Sequence, residues 1–309
     1  TKMRTIQLMN SEMNSNNKKI GKEAMEFAES HNLIPPGQSG SRKRHQAIDV
    51  ALSKRLVWDL LILQRRAAGW ISNDAKSCFD RIVHWVAIIC LLQFGIPWNA
   101  LVSMFKALET ATHRVRTGFG DSTATFSPPS PTPFQGAGQG NGAGPQMWVA
   151  ISSVLIRMLT AAGHGFECLT AIAGTLVTAV CFAFVDDTDV IEAATSVNQR
   201  GETLLSAIQE AISLWAGGIL ATGGAINPEK SFWWLIDFKW ESGTGVWRFR
   251  RLSEMPGDLT MNGPDGKSVI LRRLEPDEPE KTLGVMMAPL EDGRQQAAVL
   301  ASKARKWAE

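Results

Sequence analysis

Apolar positions recur along this chain with two different periods, and the switches between them divide it into elements. Residues 18–30 place Ile20, Ala24, Phe27 and Ala28 on one helical face, and the run ends before the breaker Pro35-Pro36-Gly37. Residues 44–66 predict a longer helix with Ile48, Leu52, Leu56, Leu60 and Leu63 at helical spacing and Gly69 as its stop signal. A short strand follows at 70–74 and ends in a carboxylate. Residues 79–94 and 97–108 are apolar enough for two core helices, parted by the turn Gly95-Ile96-Pro97. At 113–119 the period drops to two, which puts Arg114 and Arg116 on one face of a strand.

Pro128, Pro129, Pro131 and Pro133 then mark a loop that continues as a glycine-rich stretch over 136–144. A helix is expected over 145–162 and a strand rich in β-branched and aromatic residues over 178–185. The next strand is read at 188–192, so Asp186-Asp187 should lie at the tip of a β-hairpin. Residues 202–220 are amphipathic through Leu204, Leu205, Ile208, Ile212 and Trp215. Short strand candidates alternate with Gly and Pro turns over 231–274, one more strand is read at 283–287, and a last helix over 292–307. No internal repeat is apparent.

Length and composition narrow the class. At 309 residues with 44% hydrophobic content, the chain is long enough for two or three lobes, each able to bury a core. Its net charge of +2 hides an asymmetry, because residues 1–66 hold twelve Lys or Arg against six acidic residues. That imbalance favours a polyanion near the first lobe. Cys78, Cys90, Cys168 and Cys181 form no CxxC pair, so neither a disulfide framework nor a zinc knuckle is indicated. A reducing, intracellular setting, cytoplasm and/or nucleus, is expected. The longest apolar stretch, 169–185, runs straight into Asp186-Asp187, which reads as a buried strand and not a membrane span. No signal-peptide pattern opens the sequence. The abrupt start at Thr1 and the stop inside a predicted helix are what a segment of something longer would show. There are eleven tryptophans and no tyrosine, a bias without a physical account.

The candidate chemistry lies in carboxylates. Phosphoryl transfer by two divalent ions needs hard oxygen ligands that converge from separate strands. Asp74 at the end of one strand and Asp186-Asp187 on a hairpin are spaced to supply them. Asp80, followed by Arg81, reads as a helix start, and Asp189 as pointing along the second hairpin strand, so neither joins that set. His45, His84 and His113 lack partners at ligand spacing. Trp148, Trp215 and Trp234 sit in apolar contexts and read as core.

Several motifs in order resemble reverse transcriptases of the non-LTR retrotransposon type, over nearly the whole chain. Lys2-Met3-Arg4-Thr5-Ile6 and Gln38-Ser39-Gly40-Ser41-Arg42 resemble the two fingers motifs, the first implying that Arg4 contacts the triphosphate and the second bringing in Arg42; Ser39 stands where the family usually has an aromatic residue. Asn73-Asp74-Ala75-Lys76-Ser77-Cys78-Phe79-Asp80 resembles the first catalytic motif, with Ala75 beside the nucleotide and Phe79 as the bulky gate that excludes a 2′-hydroxyl. Gly138-Gln139-Gly140 with Gly144-Pro145 is similar to the nucleotide and template loop, in which glycines let the backbone approach the substrate; Gly144 replaces a frequent serine. Phe184-Val185-Asp186-Asp187 resembles the metal-binding hairpin. Asn227-Pro228-Glu229-Lys230-Ser231 resembles the motif whose lysine is thought to protonate pyrophosphate, which implies Lys230 as general acid. Lys281-Thr282-Leu283-Gly284-Val285 resembles the primer grip, with Leu283 and Gly284 at the primer end.

The resemblance implies an α/β (α+β) right-hand polymerase: fingers over 1–70, the first palm strand over 71–84, a helical and hairpin insertion over 85–135, palm over 136–290, and only the start of a thumb or connection over 291–309. It implies two Mg²⁺ ions, replaceable by Mn²⁺, on Asp74, Asp186 and Asp187. The implied partners are an RNA template, a DNA or RNA primer and dNTPs, with no membrane. Residues 232–280 exceed a minimal link and read as an insertion. Two alternatives stay open at this point: an RNA-dependent RNA polymerase, and a domesticated relative that binds nucleic acid without catalysis.

Overall fold

The structure is a computed structural model that describes residues 6–76, 78–128, 134–170, 173–263, 265–290 and 293–308. In chain order the elements are α1 (Ser11–Ser30), α2 (Ala47–Gln64), β1 (Ala68–Asp74), α3 (Cys78–Arg81), α4 (His84–Gln93), α5 (Trp98–Thr110), β2 (Arg116–Thr117) and β3 (Gly120–Asp121). Then come α6 (Gly144–Ala161), β4 (Phe166–Leu169), β5 (Leu176–Ala179), β6 (Cys181–Phe184), β7 (Asp187–Ala193) and α7 (Gly201–Ala221). The last part holds β8 (Phe232–Ile236), β9 (Phe238–Glu241), β10 (Val246–Phe249), β11 (Thr260–Asn262), β12 (Ser268–Ile270), β13 (Arg272–Leu274), β14 (Glu280–Thr282), β15 (Val285–Met287) and α8 (Arg294–Ala308). They fall into two units, one made of Thr1–Ile34, Ser77–Val154 and Ala221–Gly224, the other of Pro35–Lys76, Leu155–Leu220 and Ala225–Glu309.

The first unit is mainly helical. α1 starts seven residues before the expected position 18, because the Asn10 side chain accepts from the backbone N–H of Glu12 at 2.9 Å and of Met13 at 3.3 Å and so caps a polar first turn. The single helix expected at 79–94 is two helices. Between them Val83 is extended and its N–H turns to the carbonyl of Thr222 at 3.0 Å, which interrupts the helical ladder. The strand expected at 113–119 shrinks to the two-residue pairing of β2 with β3, plus a bridge between His113 and Phe126. Arg116 is taken up by Asp121 through two bonds of 2.6 and 2.8 Å.

The second unit is built on a mixed sheet of order β13-β8-β1-β7-β6, antiparallel except for β13 beside β8. β1 lies in the middle, so Ala68, Gly69, Trp70 and Ile71 are buried on both faces. On one face α7 comes so close to Gly69 that a Cβ there would lie 2.4 Å from Ile208 Cδ1, so glycine is required. α7 is long and apolar enough to cross a membrane by length and composition alone, and within this unit its Leu204, Ile208, Ile212 and Trp215 are buried. On the other face α2 lays Trp58 edge-on to Trp70 and Trp234, at ring separations of 5.2 and 5.8 Å.

α2 reverses the ordinary reading of an apolar stripe. Its helix forms where expected, but Ile48, Leu52, Leu56, Leu60 and Leu63 are exposed, whereas Val50, Ala51, Lys54, Trp58 and Leu61 are buried. Gly69 is not its stop. The helix ends at Arg65, in the left-handed region at φ 52°, and Gly69 belongs to β1. The strand expected at 178–185 is divided at Val180 into β5, which pairs with β4, and β6, which pairs with β7. Residues 232–280 are not wholly an insertion, since β8 and β13 complete the central sheet and the hairpins β9–β10 and β11–β12 lie between them in sequence. The strand expected at 283–287 is the second arm of a hairpin, with Leu283 and Gly284 turning at φ 52° and 82° between β14 and β15. Trp148, Trp215 and Trp234 are core residues, as their contexts predict.

Candidate active site

The last residue of β1, Asp74, is the cross-strand partner of Asp187, the first residue of β7. Directly opposed residues of an antiparallel pair stand about 4.5–5.5 Å apart at Cβ, so two carboxylates more than a hundred positions apart in sequence are neighbours. Phe184 also pairs with Asp187, which leaves Val185-Asp186 as a two-residue turn. Asp186 is therefore in the turn itself. Val185 has φ 58°, a strained conformation for a β-branched residue.

The segment bearing Gln38 and Gly40 supports that turn. Gln38 bridges Ala183 in parallel, Ala183 N–H donates to Gly37 O at 2.8 Å, and Ser39 N–H donates to Ala183 O at 2.9 Å. A Cβ on Gly40 would lie 2.2 Å from Val185 N, so no side chain can stand there without moving the turn. Arg42 folds back and donates to Gln38 O at 3.2 Å. Ala75 bridges Ile226, which brings the 225–231 segment alongside β1. Lys230 consequently reaches Asp74, with Nζ 3.5 Å from Oδ2.

A cavity of about 500 Å³ opens here, lined by Asp74, Asp187, Asp189, Lys230, Leu283 and Gly284 among others. Burial pushes the Asp187 carboxyl up to about 6, and the neighbouring charges of Asp186, Asp189 and Asp74 add to the rise, while Lys54 opposes it. That mutual repulsion is what a bound cation would relieve. As their side chains stand, no three His, Cys, Asp or Glu among the described residues form a cluster closed enough to hold a metal ion. The cation on Asp74 in this structure is the ammonium of Lys230.

Three expected site residues belong to the other unit. Phe79 is half-buried in α3, and a Cβ on Gly144 would lie 3.8 Å from its ring. Gln139 donates through Nε2 to Asp80 Oδ2 at 3.5 Å. Gly140 has φ 113°, and a Cβ there would lie 2.4 Å from Gln7 O, so the backbone that the glycines admit in this structure is the chain's own. Arg4 lies outside the described residues.

Sequence patterning singles out neither Asp189, which lines the cavity, nor Lys54, which pairs with it. Asp189 does not simply run along its strand: it is buried and paired with Lys54. Nothing in the sequence marks Lys54, which stands between Ser53 and Arg55 like any solvated helix lysine. His84 also has partners, Glu109 Oε1 and Gly136 O, each at 2.8 Å.

No protein-family model matches this chain, and no curated protein matches it in sequence. Among solved structures it is similar to a telomerase from Candida tropicalis in complex with a TWJ fragment of telomeric RNA, at 12% identity and a TM-score of 0.51, over 91% of this chain and 38% of that one. It is also similar to apo telomerase from Candida tropicalis, at 14% identity and a TM-score of 0.48, over 92% and 41% of the two chains. A telomerase from Candida albicans in complex with a TWJ fragment of telomeric RNA matches at 10% identity and 0.46, over 89% and 37%. The chain thus spans about two fifths of the length of the structures it matches. The first of these likenesses is one of fold: a mixed α/β chain around a mixed central sheet.

Proposed function

We propose that this chain is the catalytic core of a reverse transcriptase of the non-LTR retrotransposon type, which extends a primer with deoxynucleotides along an RNA template. The observation that carries the proposal is the pairing of Asp74 with Asp187 at one end of the sheet, with Asp186 in the adjoining turn. The motif order along the chain supports it, and so does a fold shared with a telomerase solved with telomeric RNA.

In this proposal Asp74, Asp186 and Asp187 hold two Mg²⁺ ions, or Mn²⁺ in their place, which supply the positive charge that phosphoryl transfer requires. The carboxylates are hard, acceptor-only ligands, and their mutual repulsion favours a divalent cation. Lys230, 3.5 Å from Asp74, protonates the departing pyrophosphate. The motif resemblance assigns Phe79 to excluding the 2′-hydroxyl, Arg4 to the triphosphate, and Arg42, Ala75, Gln139 and Gly140 to binding the substrate or template. Leu283 and Gly284 hold the primer end. Palm residues lie in 71–84 and 136–290, fingers in 1–70 with the 85–135 insertion, and the thumb begins at 291–309.

Primer extension on an RNA template with Mg²⁺ or Mn²⁺ tests this. Extension with dNTP that disappears in Asp186→Ala is the expected result. A preference for rNTP would point to an RNA polymerase, and template binding without extension would point to a binding protein.

A further inference from the structure

Lys54 is fully buried, a rare place for an ammonium group. Its Nζ pairs with Asp189, donates to Thr282 Oγ1 at 2.5 Å, and lies 5.8 Å from the ring centres of both Trp58 and Trp70. The partners come from separate elements: Lys54 from α2, Asp189 from β7 and Thr282 from β14. Asp189 is two residues beyond Asp187, hence on the same face of β7. Thr282 is the last residue of β14, directly before the Leu283-Gly284 turn. Asp187, Asp189, Thr282, Leu283 and Gly284 all line the same cavity.

A buried ion pair is a poor means of adding stability. Its desolvation offsets much of the attraction, and apolar replacement of both members is often neutral. What it supplies is direction. An ammonium has three donors, and one of them here is spent on a carboxylate of the aspartate hairpin and another on a hydroxyl of β14, which lines the same cavity. Those two bonds fix the spacing between β7 and the β14–β15 turn. We propose that Lys54 is a positioning residue that ties the Leu283-Gly284 turn to the hairpin bearing Asp186 and Asp187, and so sets where a primer end stands relative to the carboxylates. What the cavity holds rests on the polymerase reading; the tether does not.

Thr282→Val cuts the tether and leaves both charges in place, and Thr282→Ser restores it. Losing a hydrogen bond to a charged group should speed local opening by about tenfold or more. Hydrogen exchange of the full chain should therefore show residues 283–287 exchanging about tenfold faster in Thr282→Val, with Tm lowered by only a few degrees, about what the loss of one such bond costs, and protection restored in Thr282→Ser. In primer extension, KM for primer should rise severalfold while KM for dNTP stays constant. The double variant Lys54→Met/Asp189→Leu, chosen to keep the core filled, should show the same loosened turn. Unchanged exchange at 283–287 in both variants would overturn the tether, as would loosening spread over the whole unit. If the parent chain extends no primer, the exchange result still decides the tether, and it is the polymerase reading that fails.

Discussion

Asp187 titrates near 6 because burial and then Asp186, Asp189 and Asp74 disfavour its charge. Its unfolded value is near 4. Between those two values the folded chain binds a proton that the unfolded chain has released, so this carboxyl contributes stability below about pH 4 that is lost as pH rises through about 6. A divalent cation prefers the ionised form and acts in the opposite sense. Mn²⁺ should accordingly raise Tm more at about pH 7.5 than at about pH 5, and Asp187→Asn should flatten the difference. Equal shifts at both pH values in the parent chain would remove Asp187 from the cation site. That Asp74 and the Asp186-Asp187 pair would meet was legible in the sequence through the order of several motifs, not because a carboxylate at a strand end is informative in itself. Lys54 and Asp189 were not, since what distinguishes them is burial, and burial of a polar residue follows from packing that no local pattern records.

Among the elements, α2 shows where periodicity fails. Apolar residues run nearly all round this helix, so a stripe of leucines at helical spacing does not choose a face. The sheet chooses it. Trp58 packs on Trp70 and Trp234, and that contact turns Leu52 and Leu56 outward even though both are aliphatic. Leu52→Gln/Leu56→Gln should therefore change stability by no more than about 0.5 kcal/mol per site, whereas Trp58→Ala should cost about 3–5 kcal/mol. Urea unfolding of the two variants checks this, and a large loss from the leucine pair would mean that the stripe is covered in the folded protein. The hairpins tell a similar story. Leu283-Gly284 looked like the start of a strand because Val285, Met286 and Met287 follow, but the positive φ of both residues makes it a turn.

At the scale of the whole chain, strand signals fell at β1, at β7 and, without separating single strands, over 231–274, but said nothing about which strand lies beside which. β1 pairs with β7 and with β8, partners more than a hundred residues downstream, and such pairing is decided by the core and not by neighbours in sequence. The consequence is a chain whose units are each discontinuous. Residues 155–309 contain ten of the eleven strands from β1 and β4 to β13, yet they lack β1, which pairs with β7 over seven positions and with β8 over five. Without it the sheet separates into β6–β7 and β8–β13, and Trp234 loses both Trp58 and Trp70. Two-stranded pieces are marginal in water, so a 155–309 fragment should show weak near-ultraviolet circular dichroism and no cooperative urea transition. Co-expression with residues 1–154, which restore β1 and α2, should recover both signals. A 155–309 fragment that unfolds cooperatively alone would mean that β1 is dispensable to the sheet, and with it the pairing that sets Asp74 beside Asp187.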